Sequence, residues 1–101
     1  MDGVQHLRQS VHDILSTPIG TRVHRRDYGS DIPRLIDRPV NAATIVDIYA
    51  AAAKALHRWE PRLKLSRIRL STAAPGRVEL SIEGEYRPDG RAIRLDGLVV
   101  G

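Results

Sequence analysis

The spacing of hydrophobic residues changes from helical to alternating near the middle of the chain. In the first part, apolar residues recur every three or four positions, as on one face of a helix. This spacing predicts helices over residues 3–16, 32–37 and 42–58. The positions that we expect to be buried in these helices are Val4, Leu7, Val11, Ile14, Leu15, Ile32, Leu35, Ile36, Ile45, Tyr49, Ala52, Leu56 and Trp59.

Polar residues and prolines mark the helix ends. Asp31 and Asn41 precede the second and third helices, and both residue types can accept hydrogen bonds from first-turn N–H groups. Pro33 suits the first turn of the second helix, where its missing N–H costs nothing. In the third helix the polar positions, expected on the face opposite the core, are Thr44, Asp47, Lys54 and Arg58.

Beyond residue 62, apolar and polar residues alternate, which is typical of antiparallel strands with one buried face. The positions that we expect to be buried are Ile68, Leu70, Val78, Leu80, Ile82, Tyr86, Ile93, Leu95 and Val99. The predicted fold class is α+β, with two or three helices packed on one face of a small three-stranded antiparallel meander sheet. The length predicts one domain over residues 1–101.

Burial on a common face also predicts the register of the strands. A loop over residues 87–90 places Ile82 opposite Leu95 and Glu83 opposite Arg94. The first and second strands are expected to pair with Leu70 opposite Val78, so that residue 69 opposes residue 79. The leucines at the start of the first strand are out of phase with its later apolar residues, which predicts a bulge near residue 66.

Trp59-Glu60-Pro61-Arg62 lies where the helical pattern ends. Proline lacks an N–H and fixes its own φ, so the third helix must end before it. It also biases Glu60 toward an extended conformation. Glu60 and Arg62 therefore project in defined directions from a rigid corner, which favours a fixed ionic contact with either another part of the chain or a partner.

Charge and composition narrow the function. The net charge is +4 and there is no cysteine, so neither a disulfide framework nor a thiolate metal site is expected. A basic protein can bind nucleic acid or an acidic protein surface. The best basic candidate is the loop with Arg22, Arg25 and Arg26. Without a helix-turn-helix or an aromatic sheet motif, structural salt bridges or an acidic protein partner are favoured over direct nucleic-acid binding.

No set of catalytic residues can be assembled from the sequence. The serines lie outside any Gly-x-Ser-x-Gly elbow, and the four histidines lack the spacing of metal ligands. A glycosidase needs two carboxylates across a cleft, whereas Glu79, Glu83 and Glu85 alternate along the wet face of one strand. We predict no catalytic residue, no metal, no cofactor and no enzymatic activity. No apolar run approaches the roughly 20 residues of a membrane helix, so no membrane partner is expected.

Three stretches, taken in order, resemble the baseplate assembly protein W family of contractile-tailed phages. This family includes sheath-initiator subunits of type VI secretion and other contractile injection systems. The stretches are Thr17-Pro-Ile-Gly-Thr-Arg-Val-His-Arg-Arg-Asp-Tyr-Gly-Ser30, the alanine-rich helix that follows it, and Glu60-Pro61-Arg62 at the entry to a strand. The shortness of the chain favours a phage tail or a tailocin over a secretion system.

The resemblance implies a structural role in the tail baseplate of a virion assembled in the host bacterial cytoplasm. Members join wedge proteins near the tail tube and start sheath assembly by exchanging strands with sheath subunits. The implied partners are other wedge proteins, tail sheath subunits and, less directly, tail tube proteins, with several copies per baseplate. Some members have been labelled lysozymes, and the fold also occurs in a bacterial anti-adaptor. The alternatives are therefore a small regulatory binding protein of the nucleic-acid-binding or anti-adaptor type and, more remotely, a lysozyme-like glycosidase.

Two candidate sites follow. One is a partner-binding or bracing motif, which consists of Glu60, Pro61, Arg62, Arg22, Arg25, Arg26, Tyr28 and Gly29. The other is a sheet edge, because an unpaired edge strand can accept a strand from another chain. We expect this edge in the last strand, over residues 92–100, with the candidate residues Ala92, Ile93, Arg94, Leu95, Asp96, Leu98 and Val99.

Overall fold

A computed structural model describes residues 3–23 and 25–101 of the chain. His24, which belongs to the predicted arginine loop, lies outside the described residues, as do the first two residues. The elements are α1 (Gly3–Ser16), α2 (Ile32–Leu35), α3 (Ala42–Trp59), β1 (Leu63–Ala74), β2 (Arg77–Tyr86) and β3 (Arg91–Val100). The strands form one antiparallel sheet in the order β1-β2-β3. The predicted α+β class and the meander are confirmed.

The second helix is shorter than predicted, and its start is stabilised differently. It ends at Leu35 instead of residue 37. Asp31 does not accept a capping hydrogen bond through its side chain; its carboxylate pairs with Arg34 at 2.8 Å. The Ser30 hydroxyl accepts the N–H of Ile32 at 3.2 Å and donates to the carbonyl of Leu15. Capping therefore moves one residue upstream, where the hydroxyl also ties α2 to α1.

The third helix begins as predicted, and the predicted burial of Ala52 and Leu56 is confirmed, but its first two turns bury other residues than expected. The Asn41 side chain accepts the Thr44 N–H at 3.0 Å, which confirms the predicted cap. Thr44 was expected on the solvent side and is instead buried, because its hydroxyl donates to the carbonyl of Pro39. Ile48 is buried, whereas Ile45 is only partly covered. Two alanines of this helix are also buried, which lets it approach its neighbours closely.

The predicted register is confirmed for one strand pair and wrong for the other. Ile82 opposes Leu95 and residue 83 opposes residue 94, as expected. Leu70 opposes Leu80 instead of Val78, and residue 69 opposes residue 81. The predicted bulge is present between residues 65 and 67, and a second one follows Leu70. β1 continues to Ala74, and a tight turn with Gly76 at φ 77° follows it. The turn therefore lies later in the chain than the alternation suggested, and the β1–β2 register shifts with it.

The last strand changes its buried face halfway along. Val99 was predicted to be buried, but Leu98 and Val100 are the buried residues. The β2–β3 pairing is irregular at this point, with an extra β3 residue between Leu95 and Leu98. Gly97 has φ 68°, a left-handed conformation that glycine adopts readily. Simple alternation could not predict this bulge. The extra residue exchanges the inward and outward positions in the part of β3 that follows.

Candidate functional site

The Glu-Pro-Arg corner is an internal ion pair. Glu60 is 2% exposed. Arg62 donates to it through Nε at 2.8 Å and through the second terminal nitrogen at 3.2 Å, which is a two-point contact. Burial by itself raises the pKa of Glu60, but the hydrogen bonds from Arg62 and Ser10 prevail and lower it. The same carboxylate raises the pKa of Arg62. Pro61 is exposed at the outside of the corner.

This ion pair also fastens the first helix. Besides Ser10, which contacts Glu60, the His6 ring accepts a hydrogen bond at Nδ1 from Arg62 at 3.1 Å. The Arg62 carbonyl accepts the N–H of Arg87 at 2.8 Å, beyond the end of the β1–β2 ladder. The corner therefore joins α1, the end of α3 and the sheet. Of the two contacts that the sequence left open, Glu60 makes the internal one.

The loop over residues 17–30 is held by a stack of charged and aromatic side chains. Tyr28 donates a hydrogen bond to Asp13 and packs edge to face on Trp59, with 5.2 Å between the ring centroids. Arg22 forms an ion pair with Asp13 at 3.0 Å and lies 4.7 Å above the Tyr28 ring. Burial, followed by the hydrogen bond to Asp13, raises the pKa of Tyr28 to about 12. We name Asp13, Arg22, Tyr28 and Trp59 the loop stack.

Two further arginines cover the Trp59 ring. Arg25 and Arg58 lie 5.8 and 5.0 Å from its centroid, and Arg58 also pairs with Asp27. Arg26 is exposed. The loop arginines do not reach Glu60 directly, so the predicted motif divides into the corner and the loop stack. Sequence reasoning did not identify the aspartates at positions 13 and 27, although three arginines close together indicated a need for carboxylate partners.

The base of the loop closes on itself and requires glycine. Ser30 donates its N–H to the carbonyl of Thr17 at 2.9 Å, within a parallel bridge between Pro18 and Ser30. Gly29 has φ 115°, and a Cβ there would lie 2.1 Å from the Thr17 oxygen. A side chain at this position would force the two ends of the loop apart.

One half of the β3 edge is covered by α1. Arg8 donates to the Gly97 carbonyl at 3.2 Å, and His12 donates through Nε2 to the Val99 carbonyl at 2.9 Å. These carbonyls point away from β2, because they are bonded to helix side chains. An incoming strand could pair there only after displacing both side chains.

In the other half of the β3 edge, the direction of the backbone groups can be worked out from how β2 pairs with its two neighbours. The Leu70 N–H donates to the Tyr49 hydroxyl at 3.1 Å, so it points away from β2. Residue 80, opposite Leu70, therefore directs its backbone groups to β3, and the other even residues of β2 do the same. Their partners on β3 are the odd residues 91, 93 and 95. The backbone groups of Ala92 and Arg94 consequently point outward.

The side chains of the predicted edge residues differ in exposure. Ala92, Arg94 and Asp96 are exposed, and Ile93 is partly covered. Leu95 and Leu98 are in the core, and their backbone groups face β2 opposite Ile82 and Leu80, so neither of these predicted edge residues is available to an added strand.

Two carboxylates on the open face of the sheet are paired, those of Asp96 and Glu83. The Ser81 hydroxyl and the Arg94 guanidinium donate to Asp96 at 2.7 and 2.8 Å, which lowers the pKa of Asp96. Arg67 lies 3.8 Å from Glu83. A general acid needs a carboxyl group that stays protonated near the working pH, whereas Asp96 and Glu60 are held ionised. In residues 3–23 and 25–101, three or more side chains suitable for a metal do not come together.

The helices within this described part are too short or too polar to cross a membrane.

The chain is similar to known baseplate proteins. Residues 1–90 match the family described as baseplate wedge protein gp25. Baseplate protein W of Escherichia phage P2 is 38% identical over 92 residues, which cover 91% of this chain and 80% of that protein.

Two solved structures are similar in both fold and sequence. A chain of the postcontracted pyocin R2 baseplate has a TM-score of 0.71 and 43% identity, and the match covers 85% of this chain and 87% of that one. A Geobacter sulfurreducens protein, provisionally described as a tail lysozyme, has a TM-score of 0.79 and 31% identity, with 99% and 89% covered.

Proposed function

The chain belongs to the family of gp25 baseplate wedge proteins, and we propose that it joins wedge proteins near the tube of a contractile tail and initiates the sheath. In this proposal residues 1–101 act as one binding domain without catalytic activity. Several copies assemble into each baseplate in the host bacterial cytoplasm. The partners are other baseplate proteins, sheath subunits and tail tube proteins.

The proposal of sheath initiation depends on the half of the β3 edge that α1 does not cover, around Ala92 and Arg94. Ala92 and Arg94 turn their backbone donors and acceptors away from the sheet, and both side chains are exposed. A strand from a sheath subunit can pair with these groups by main-chain hydrogen bonds. The self-covered groups at Gly97 and Val99 would end this pairing unless α1 moves. The added strand is therefore expected to engage residues 91–95 first.

The loop stack and the corner support the proposed wedge contact in different ways. Glu60 is buried against Arg62, so its part is to keep the corner rigid. The exposed positions Arg25 and Arg26 are available to an acidic surface of another baseplate protein. Because Arg22 is already engaged with Asp13 and Tyr28, it orients the loop and does not offer a free charge. The exposed arginines are therefore the residues that we expect to contact a partner.

A lysozyme function has less support from the geometry. Retaining and inverting glycosidases both need one carboxyl group that can donate a proton and a second one across the scissile bond. The Arg62 guanidinium holds Glu60 ionised by direct hydrogen bonds, and Glu83 lies on the open face of the sheet close to Arg67. The description of the Geobacter protein therefore gives no reason to assign this activity here.

Proline at Ala92 tests sheath initiation. This change removes the outward N–H without breaking a β2–β3 hydrogen bond. In cells producing the contractile particle to which this chain belongs, the variant should enter baseplates and support tube growth, while electron microscopy should show few or no sheaths. The matched control is Ala92→Ser, which keeps the N–H and should give normal sheaths.

Purified Ala92→Pro chain must first show the circular dichroism and unfolding transition of a folded domain. Incorporation into baseplates with ordinary sheath length would overturn the proposed use of this edge. Absence of both the variant and the unchanged chain from baseplates would overturn the structural role altogether.

A further inference from the structure

An apolar groove runs between the third helix and the first strand. Its floor consists of Val46, Ala50 and Ala53 on α3 and Leu65 and Ile68 on β1, and we name it the α3–β1 groove. Two adjoining hollows of about 470 and 450 Å³ form it, and both are lined by Ala53 and Leu65. Val46 is 62% exposed and lines the second hollow together with Ala50, Ala53, Leu65 and Ile68, so the exposed apolar surface here is contiguous.

The rim of the α3–β1 groove is positively charged. The charged residues that line it are Lys54, Lys64, Arg67 and Arg87. Arg67 lies 3.8 Å from Glu83. Within the described ranges, 3–23 and 25–101, the ion pairs do not include the other three. An apolar floor with a cationic rim is complementary to a segment that carries apolar side chains flanked by carboxylates.

A strand is a poor occupant for this groove. β1 has bulges between Leu65 and Arg67 and between Leu70 and Thr72, which interrupt a regular row of backbone groups. The outward N–H of Leu70 is already bonded to Tyr49. Main-chain pairing along this border would therefore be short and irregular.

A helix fits the groove better. The α3 wall extends from Val46 to His57, which at 1.5 Å per residue is about 16 Å, or three turns of a docked helix. The alanines in the floor allow close approach of a second helix, and apolar anchors at helical spacing can enter the two hollows.

We propose that the α3–β1 groove binds an acidic amphipathic helix of another baseplate protein. This inference rests on the proposed baseplate role and adds the surface and the chemistry of one partner. Apolar residues of that helix pack on Val46, Ala50 and Ala53. Its Asp or Glu residues lie beside Lys64 and Arg87. The site is separate from the β3 edge and does not depend on strand addition.

A photo-reactive residue at Val46 tests the proposal. p-Benzoylphenylalanine replaces Val46 in cells that produce the particle, and purified tails are irradiated. Mass spectrometry then identifies the crosslinked peptide. The expected product joins the variant to a helical segment of another baseplate chain with at least two carboxylates near its apolar residues. The matched control places the same residue at Gln9, an exposed position on α1 that lines neither hollow, where it should not crosslink to that segment.

Charge reversal provides the second measurement. Adding Lys64→Glu and Arg87→Glu to the Val46 probe should reduce the crosslinked fraction about fivefold, since two exposed charge contacts become repulsive. Arg91→Glu, in β3 at the opposite edge of the sheet from β1, should leave the crosslinked fraction unchanged.

The failures can be told apart. Particles that contain the chain but give no Val46 crosslink, or a crosslink to a neutral, basic or extended segment, overturn the helix proposal alone. An unchanged yield after charge reversal overturns the assigned acidic chemistry. Particles that lack the chain overturn the baseplate role and the groove proposal with it.

Discussion

Removing Arg62 should destabilise the fold far more than removing an ordinary surface arginine. Arg62→Ala leaves the Glu60 carboxylate 2% exposed, with neither of its guanidinium hydrogen bonds. Breaking a buried pair from one side costs about 3–5 kcal/mol. Ser10 still donates to Glu60, and the Arg62 side chain is itself 31% exposed, so we expect about 3 kcal/mol, the lower end of that range.

The opposite truncation should cost less. Glu60→Ala removes the buried charge itself, and the remaining guanidinium can turn toward water. A loss of about 1.5 kcal/mol is expected, in the range for hydrogen bonds to charged groups. The double variant, Glu60→Ala with Arg62→Ala, should be more stable than Arg62→Ala alone, because it leaves no buried carboxylate.

Acidification should separate this effect from lost packing. In the unchanged protein the pKa of folded Glu60 is lowered, so its stabilisation is present above the unfolded value of about 4.3 and is lost as the pH falls further. In Arg62→Ala, burial is the largest remaining influence and raises the pKa of Glu60. The penalty is then full at neutral pH and shrinks as the pH falls through that raised value. The stability difference between the two proteins should therefore narrow between about pH 7 and about pH 4.5.

Urea unfolding followed by circular dichroism at both pH values measures these differences. Arg67→Ala is the matched control, because its partner Glu83 is 3.8 Å away and its own side chain is 59% exposed. It should cost less than about 1 kcal/mol at either pH. A cost for Arg62→Ala below about 1 kcal/mol, or a deficit that does not narrow on acidification, would refute the assignment of Glu60 as a buried, ionised brace.

Two other substitutions test the packing of the sheet and the loop. In Gly84→Ala, the new Cβ would lie 2.4 Å from the Lys64 carbonyl oxygen, so the free energy of unfolding measured in urea should fall by about 2–3 kcal/mol. Glu85→Ala, one residue further on β2, should lower it clearly less. Equal losses for the two variants would contradict the close approach at Gly84. In the unchanged protein, ultraviolet titration should show a tyrosine transition near pH 12, because burial and Asp13 keep the Tyr28 phenol protonated. Tyr28→Phe should abolish this transition. An identical titration curve for both proteins would count against the loop stack.

The helices were predictable where the hydrophobic residues kept one helical spacing along the whole element. The α1 bounds and the Asn41 cap followed from spacing and residue type, and the burial of Leu7 and Val11 followed from the same period. Errors arose where a side chain found a local backbone partner. Thr44 is buried because its hydroxyl bonds to Pro39, and Ser30 replaces Asp31 as the cap because it also reaches Leu15. Polarity alone does not reveal such bonds.

The strands were predictable up to their bulges. The pairing of Ile82 with Leu95 required only a regular ladder and a short loop. The bulge at Gly97 inverts the buried face afterwards, and the late turn after Ala74 shifts the β1 register by two residues. Both depend on backbone geometry that a pattern of apolar residues does not encode.

The candidate site was only partly predictable from the sequence. The rigidity of Glu60-Pro61-Arg62 followed from the chemistry of proline, but the choice between an internal and an external contact depended on the position of α1. The covering of Gly97 and Val99 by Arg8 and His12 joins parts of the chain at its opposite ends. Sequence spacing carries no information about contacts of that range.

The hydrogen bonds between α1 and β3 link residues 89 and 87 positions apart. During synthesis on the ribosome, α1 emerges long before the strand that it must contact. Its buried face, with Leu7 and Val11, can pack on α3 first, but its contacts with β3 must wait until the last strand is made. We therefore expect the closure of these two elements to be among the last steps of folding, because the long loop between them must be closed first.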